Sequence, residues 1–161
     1  MTYIIQKKLR YLETAGRLNE TKNYIQHGSI SVYAHCVNVA RMSFRIAKWL
    51  PIQVNMDALV IGALLHDYFL YDWHDGKGRH FHGFTHPECA FRNAEKDYAL
   101  SPRVKNIIIR HMFPLTLVPP TCTEAWIVCI ADKICAIEVI IRKQQHRQSH
   151  KVHHLYHQLH H

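Results

Sequence analysis

Apolar residues recur at helical intervals along most of the chain, and nowhere does a sustained period-two alternation mark a strand. Residues about 3–14 and 18–26 fit short helices on either side of Gly16. His27-Gly28-Ser29 interrupts the pattern, and Ser29 or Ser31 can cap a long helix that runs to about Leu50 and stops at Pro51. Asn55 can cap the next helix, over about 56–67, whose segment ALVIGALL (58–65) is apolar on every face, as in a buried helix. The segment YDWHDGKGRHFHGFT that follows is polar and glycine-bearing, and reads as the longest loop. Thr85 and Glu88 stand at capping-box spacing around Pro87, which predicts a helix opening there and running to about Ala99. Ser101-Pro102 starts another that ends near Met112, before Pro114. After Pro119-Pro120, Thr121 and Glu124 repeat the capping-box spacing for a long helix from about Thr123 through Arg142. The expectation is all-α, a single compact helical domain without internal repeat or linker.

Composition agrees with that expectation. A chain of 161 residues, 48% hydrophobic and 20% charged, has the size and balance of one globular domain. No apolar run approaches the roughly 20 residues of a membrane span, and the N-terminus lacks the apolar region of a signal peptide. A protein with no membrane partner, located in the cytoplasm, is expected. Five cysteines without a C-x-x-C pair, most inside apolar helical patterns, read as reduced buried thiols. The formal charge of +8 suits nucleic acid, a membrane surface or a phosphate-bearing small molecule, and does not choose among them. Of 15 histidines, seven (His146, His150, His153, His154, His157, His160 and His161) crowd the last sixteen residues. The chain therefore divides into a helical body, 1–145, and a His-rich basic tail, 146–161. The tail reads as solvated and without catalytic role, although Val152, Leu155 and Leu159 could mark a weak amphipathic helix.

Candidate chemistry lies in the body. His66 and Asp67 close the most apolar helix, where an ionisable group left unpaired costs several kcal/mol. On the first long helix His35 is in register with Val39, Met42, Ile46 and Trp49, so it shares a core-facing stripe. On the last, Asp132 falls in a stripe with Ala125, Val128, Cys129, Ala136 and Val139. Neutral imidazoles and carboxylates converging from separate helices are what a divalent cation wants, and a cation cancels the charge that makes buried aspartates unfavourable. The alternative is hydrogen-bonded core histidines beside a helix-end carboxylate.

The ordered series His35, His66-Asp67 and Asp132, the last in the string CIADKICA, resembles the H…HD…D signature of the HD superfamily of metal-dependent phosphohydrolases, an all-helical fold. The resemblance spans about residues 30–140. His86, in THPECA, and His111, in IIIRHMFPL, match by context the two further histidines of dinuclear members. Those members include dinucleoside-polyphosphate hydrolases with a similar ADK string. The resemblance implies that His35, His66 and Asp132 hold one metal, that His86 and His111 hold another, and that Asp67 bridges them. On a plainer reading His86 only caps its helix and His111 faces solvent. The ions implied are one or two divalent cations, with Fe, Mn, Mg, Ni and Zn not distinguished.

The same resemblance implies metal-activated water attacking a phosphomonoester or a nucleotide-like phosphoanhydride or phosphodiester. Asp67, His74 and Lys133 are its candidate catalytic residues, with Asp72 or His82 as other candidate acids. Many members carry lysine three residues after the dyad; here that position is Leu70. Lys77, Arg79, His82, Arg110 and Lys133 could supply the missing positive charge. Trp73, Phe81 and Phe84, set among Lys77, Arg79 and His80, would suit a nucleobase bearing phosphates, or else fold back over the helices. The implied partner is a phosphorylated small molecule such as a nucleotide, with nucleic acid the less favoured choice and the oligomeric state unread. Two other classes compete. One is a catalytically inert HD-like protein that binds nucleotide or nucleic acid, for which Leu70 speaks. The other is a di-iron oxygenase using the same ligands.

Overall fold

A computed structural model of the protein describes residues 2–73 and 81–159. The described residues form six α-helices, α1 (Tyr3–Ala15), α2 (Val32–Trp49), α3 (Met56–Leu65), α4 (His82–Asp97), α5 (Pro102–Arg110) and α6 (Thr123–Leu159). A 3-10 helix, Leu18–Asn23, and a small antiparallel ribbon of β1 (Ile25–His27) and β2 (Ile30–Ser31) join α1 to α2. The all-α expectation holds. Helix α3 sits centrally, packed by α1, α2, α5 and α6. Its Leu59, Val60, Ala63 and Leu65 are fully buried, which is why it is apolar all round. No helix among the described residues is long and apolar enough to cross a membrane.

Where a cap was local, the sequence reading and the structure agree. Ser31 Oγ accepts from Ala34 N at 3.2 Å, Asn55 Oδ1 from Ala58 N at 3.0 Å and Ser101 Oγ from Val104 N at 3.3 Å. Each satisfies an otherwise orphaned first-turn donor.

Four expectations are corrected. The helix expected over 18–26 is instead the 3-10 helix followed by β1, because Tyr24 is extended and Gly28, at φ +62, turns the chain back on itself. Neither capping box forms. Helix α4 begins at His82, three residues before Thr85, and the Thr85 hydroxyl donates to Phe81 O at 3.1 Å; the His82 ring, stacked on Trp73, belongs to the first turn. Thr121 instead exchanges hydrogen bonds with Asn106, at 3.0 and 2.7 Å, and Glu124 Oε1 accepts from Asn55 N at 2.7 Å, tying the start of α6 to the start of α3. Trp49 is 88% exposed rather than core-facing, since the deepest face of α2 runs through Cys36, Val39, Ala40, Ser43 and Ala47. Those small side chains let α3 and α6 approach closely. Finally, α6 continues to Leu159 instead of ending near Arg142; its sequence offers neither glycine nor proline to stop it.

One close approach sets up the site. A Cβ at Gly62 would meet Ile107 Cβ and Cγ2 at 2.9 Å, so glycine lets α5 lie directly against α3 one turn before the dyad.

Candidate metal centre

Five elements aim side chains at one point. His35 comes from the second turn of α2, His66 and Asp67 from the C-terminal end of α3, His86 from α4, His111 from the C-cap of α5 and Asp132 from α6. His35, His66, Asp67, His86 and His111 are each 3% exposed or less.

The two Asp67 oxygens look opposite ways. Oδ2 lies 3.3 Å from His66 Nε2 and 3.6 Å from His35 Nε2, whereas Oδ1 lies 3.2 Å from His86 Nε2 and 3.4 Å from His111 Nε2. Asp132 Oδ1 is 2.9 Å from His35 Nε2 and 3.7 Å from His66 Nε2. Among the described residues, two triads have ligand atoms close enough together to share one ion: His35, His66 and Asp132, and His66, Asp67 and His111.

The tautomers follow from the backbone. His66 Nδ1 is 2.8 Å from Ala63 O, His86 Nδ1 is 2.8 Å from His82 O and His111 Nδ1 is 2.8 Å from Ile108 O. A carbonyl only accepts, so each Nδ1 carries a proton, and each ring in its neutral form turns the Nε2 lone pair inward. His86 Nε2 and His111 Nε2 then face each other at 2.9 Å, lone pair to lone pair. His66 Nε2 and Asp67 Oδ1 are buried with no hydrogen-bond partner. Buried acceptors this close repel unless a cation or a proton lies among them, and the donor set of imidazole nitrogens and carboxylate oxygens fits a divalent ion.

Electrostatics point the same way. Burial opposes charge on His66, yet the adjacent Asp67 carboxylate outweighs it and raises the His66 pKa well above the ordinary histidine range. Burial likewise opposes ionisation of Asp67, but the charge of His66 first, and then the imidazoles of His111 and His86 around it, hold it far below the usual carboxylate range. Asp132 is lowered against its burial by His35 and His66. His111 is lowered, chiefly by burial, which keeps its Nε2 free to bind. The cluster is thus two anions enclosed by imidazoles, and a cation entering it replaces a proton.

Residues outside the six support them. Gln26 Nε2 donates to Asp67 Oδ2 at 2.6 Å from the ribbon. Nothing in the sequence marks that glutamine. Lys133 Nζ donates to His111 O at 2.9 Å and to Cys129 O at 3.3 Å, so the ammonium stands behind a ligand-bearing backbone. Asn93 Nδ2 bonds both Tyr68 O and Phe69 O at 3.1 Å, clamping the turn after the dyad, where Leu70 takes a left-handed backbone at φ 51. Arg110 ends α5 beside His111 and is half-buried. Trp73 folds back, stacked on His82 at 4.8 Å with its indole N–H on Ile25 O, while Phe81 and Phe84 remain exposed. Asp72 is exposed in the coil after the dyad. His74, Lys77, Arg79 and His80 lie outside the described residues.

A small helical bundle that buries imidazoles and carboxylates around one point defines a class of metal-binding helical domain. The family model of the HD domain matches residues 32–137, and the chain belongs to that family, one of metal-dependent phosphohydrolases. Neither the curated proteins nor the solved structures provide a match.

Proposed function

We propose that this protein is a metal-dependent phosphohydrolase acting on a phosphomonoester or on a nucleotide-like phosphoanhydride or phosphodiester, in the cytoplasm. One observation carries the reading: the facing Nε2 atoms of His86 and His111, with both Nδ1 protons already committed to carbonyls. His35, His66 and Asp132 would hold one divalent ion, His86 and His111 a second, and Asp67 would reach both through its two oxygens. Iron or manganese suits such mixed nitrogen and oxygen donors. Bound divalent metal lowers the pKa of water from about 15.7 to near 7 and neutralises phosphoryl oxygens.

The chain's own groups do the rest. Gln26 holds Asp67 Oδ2 in place, and Lys133 steadies the end of α5 that presents His111. His74 is the proposed proton donor to the leaving oxygen, and Lys77, Arg79 and Arg110 the proposed phosphate contacts in place of the lysine absent at Leu70. The test is elemental analysis together with phosphate release, using a full chain whose seven tail histidines are replaced by glutamine. One or two equivalents of iron, manganese or another divalent ion, with release from mononucleotides, dinucleoside polyphosphates or cyclic dinucleotides, supports the reading. A protein that binds a nucleotide but releases no phosphate with any divalent ion would be an inert member of the family.

A further inference from the structure

A cleft of about 730 Å³ opens between α2, α6 and the β-ribbon, and His35 forms part of its wall. It therefore meets the candidate metal centre at His35. Away from His35 its lining turns cationic, with Arg41 and Arg45 on α2 and Arg142 and Lys143 on α6. Met42 and Val139 add apolar surface to the same walls. Among the described lining residues Glu138 is the acid, and its carboxylate stands 4.0 Å from the Arg142 guanidinium.

The two helices leave the centre side by side. His35, in the cleft wall, touches Asp132 of α6 at 2.9 Å. Arg41 and Arg45 follow His35 by six and ten residues, and Arg142 and Lys143 follow Asp132 by ten and eleven. At the rise of an α-helix these offsets put the cations about 9 to 16 Å along the axes from the ligand-bearing positions. Arg41 and Arg45, four residues apart, set two positive charges on one face of α2, and Arg142 and Lys143 set two more on the α6 wall of the same cleft. A cleft of this volume falls in the usual range for small-molecule sites of about 300–1,000 Å³. It has room for a molecule far larger than a single phosphate.

We infer that the outer cleft is a second anion subsite, so that the substrate is a nucleotide-sized organic phosphate carrying another phosphate remote from the one at the metal centre. The inference rests on the hydrolase reading only for which end reacts. Arginine suits the outer end because its planar fork meets two phosphate oxygens at once. The apolar walls would take the organic body between the two anions.

Calorimetry on the full chain as purified tests this with two probes, adenosine monophosphate and a 5′-phosphorylated diadenylate. Wild type is expected to bind the two-phosphate probe about tenfold or more tightly than the one-phosphate probe. The double variants Arg41→Ala/Arg45→Ala and Arg142→Ala/Lys143→Ala should each erase that preference while leaving monophosphate affinity unchanged. Thermal unfolding checks that they are folded, and Arg41→Gln and Arg142→Gln serve if either double variant is not. No preference in wild type, or a preference that survives in the variants, overturns the subsite. Loss of preference in the variants from a protein that releases no phosphate with any divalent ion leaves the subsite standing and removes the hydrolase reading instead.

Discussion

Two polar clusters begin at neighbouring residues, Asp67 and Tyr68, and they are satisfied in opposite ways. On the Tyr68 side the partners close among themselves. Tyr68 Oη accepts from Arg17 N at 2.8 Å and donates to Asp97 Oδ2 at 2.7 Å. Arg17 grips both Asp97 oxygens, at 3.0 and 3.2 Å, and Tyr98 Oη donates to Leu12 O at 2.8 Å. Gly16 leaves the room this needs, since a Cβ there would collide with the Tyr98 hydroxyl. On the Asp67 side the protons have been used on backbone carbonyls, and acceptors are left facing acceptors. A polar cluster built for stability is complete without help, whereas one built to bind is short of a positive charge. The Tyr68 network fixes the turn that carries the dyad, so the finished cluster holds the unfinished one in position.

The sharpest way to break the comparison is Asp67→Ala. Removing the carboxylate that faces four imidazoles should abolish tight metal binding and phosphate release, with bound metal falling to background in elemental analysis. Removing the buried charge relieves its desolvation and offsets the lost Gln26 bond and His66 attraction, so the metal-free form should not be greatly less stable than wild type. Severe metal-free unfolding would mean that the cluster is structural after all. Next in size is Gln26→Leu, which removes the 2.6 Å bond to Asp67 Oδ2. Outer-shell losses of this kind weaken metal affinity by about 10–100-fold, to be read by competition with a chelating dye.

Asp97→Asn addresses the closed cluster. It should cost about 1 kcal/mol of stability, because its partner Arg17 is partly solvated, and should leave metal content unchanged. The smallest effect is on pH. Burial raises the Asp97 pKa, but hydrogen bonds from Arg17 and Tyr68 outweigh it and bring the value below 3.8. A carboxylate lowered in the folded state stabilises the fold above its unfolded pKa, and that contribution disappears as pH falls through the folded value. Denaturant midpoints should therefore decline more steeply below about pH 4 in wild type than in Asp97→Asn.

How much of this was legible beforehand depends on the range of each interaction. Ser31, Asn55 and Ser101 cap the helices they precede because a cap is made three residues away. Thr121 and Glu124 carry an equally good local signal, yet their partners are Asn106 and Asn55, distant in sequence, and the capping box loses to them. The ribbon escaped the periodicity because five residues are too few to show a period. Spacing alone puts Trp49 inward, but packing on α3 and α6 buries the smaller side chains of α2 instead.

The order of His35, His66-Asp67, His86, His111 and Asp132 along helix-forming sequence is a property of the chain, and so is the apolar context that makes each of them costly to bury. Bringing those six together is the work of tertiary packing. So are the opposed oxygens of Asp67, the glutamine behind them and the file of cations leading outward from His35. Spacing within a helix determines which face a side chain takes, but only the docking of one helix on another determines what that face meets.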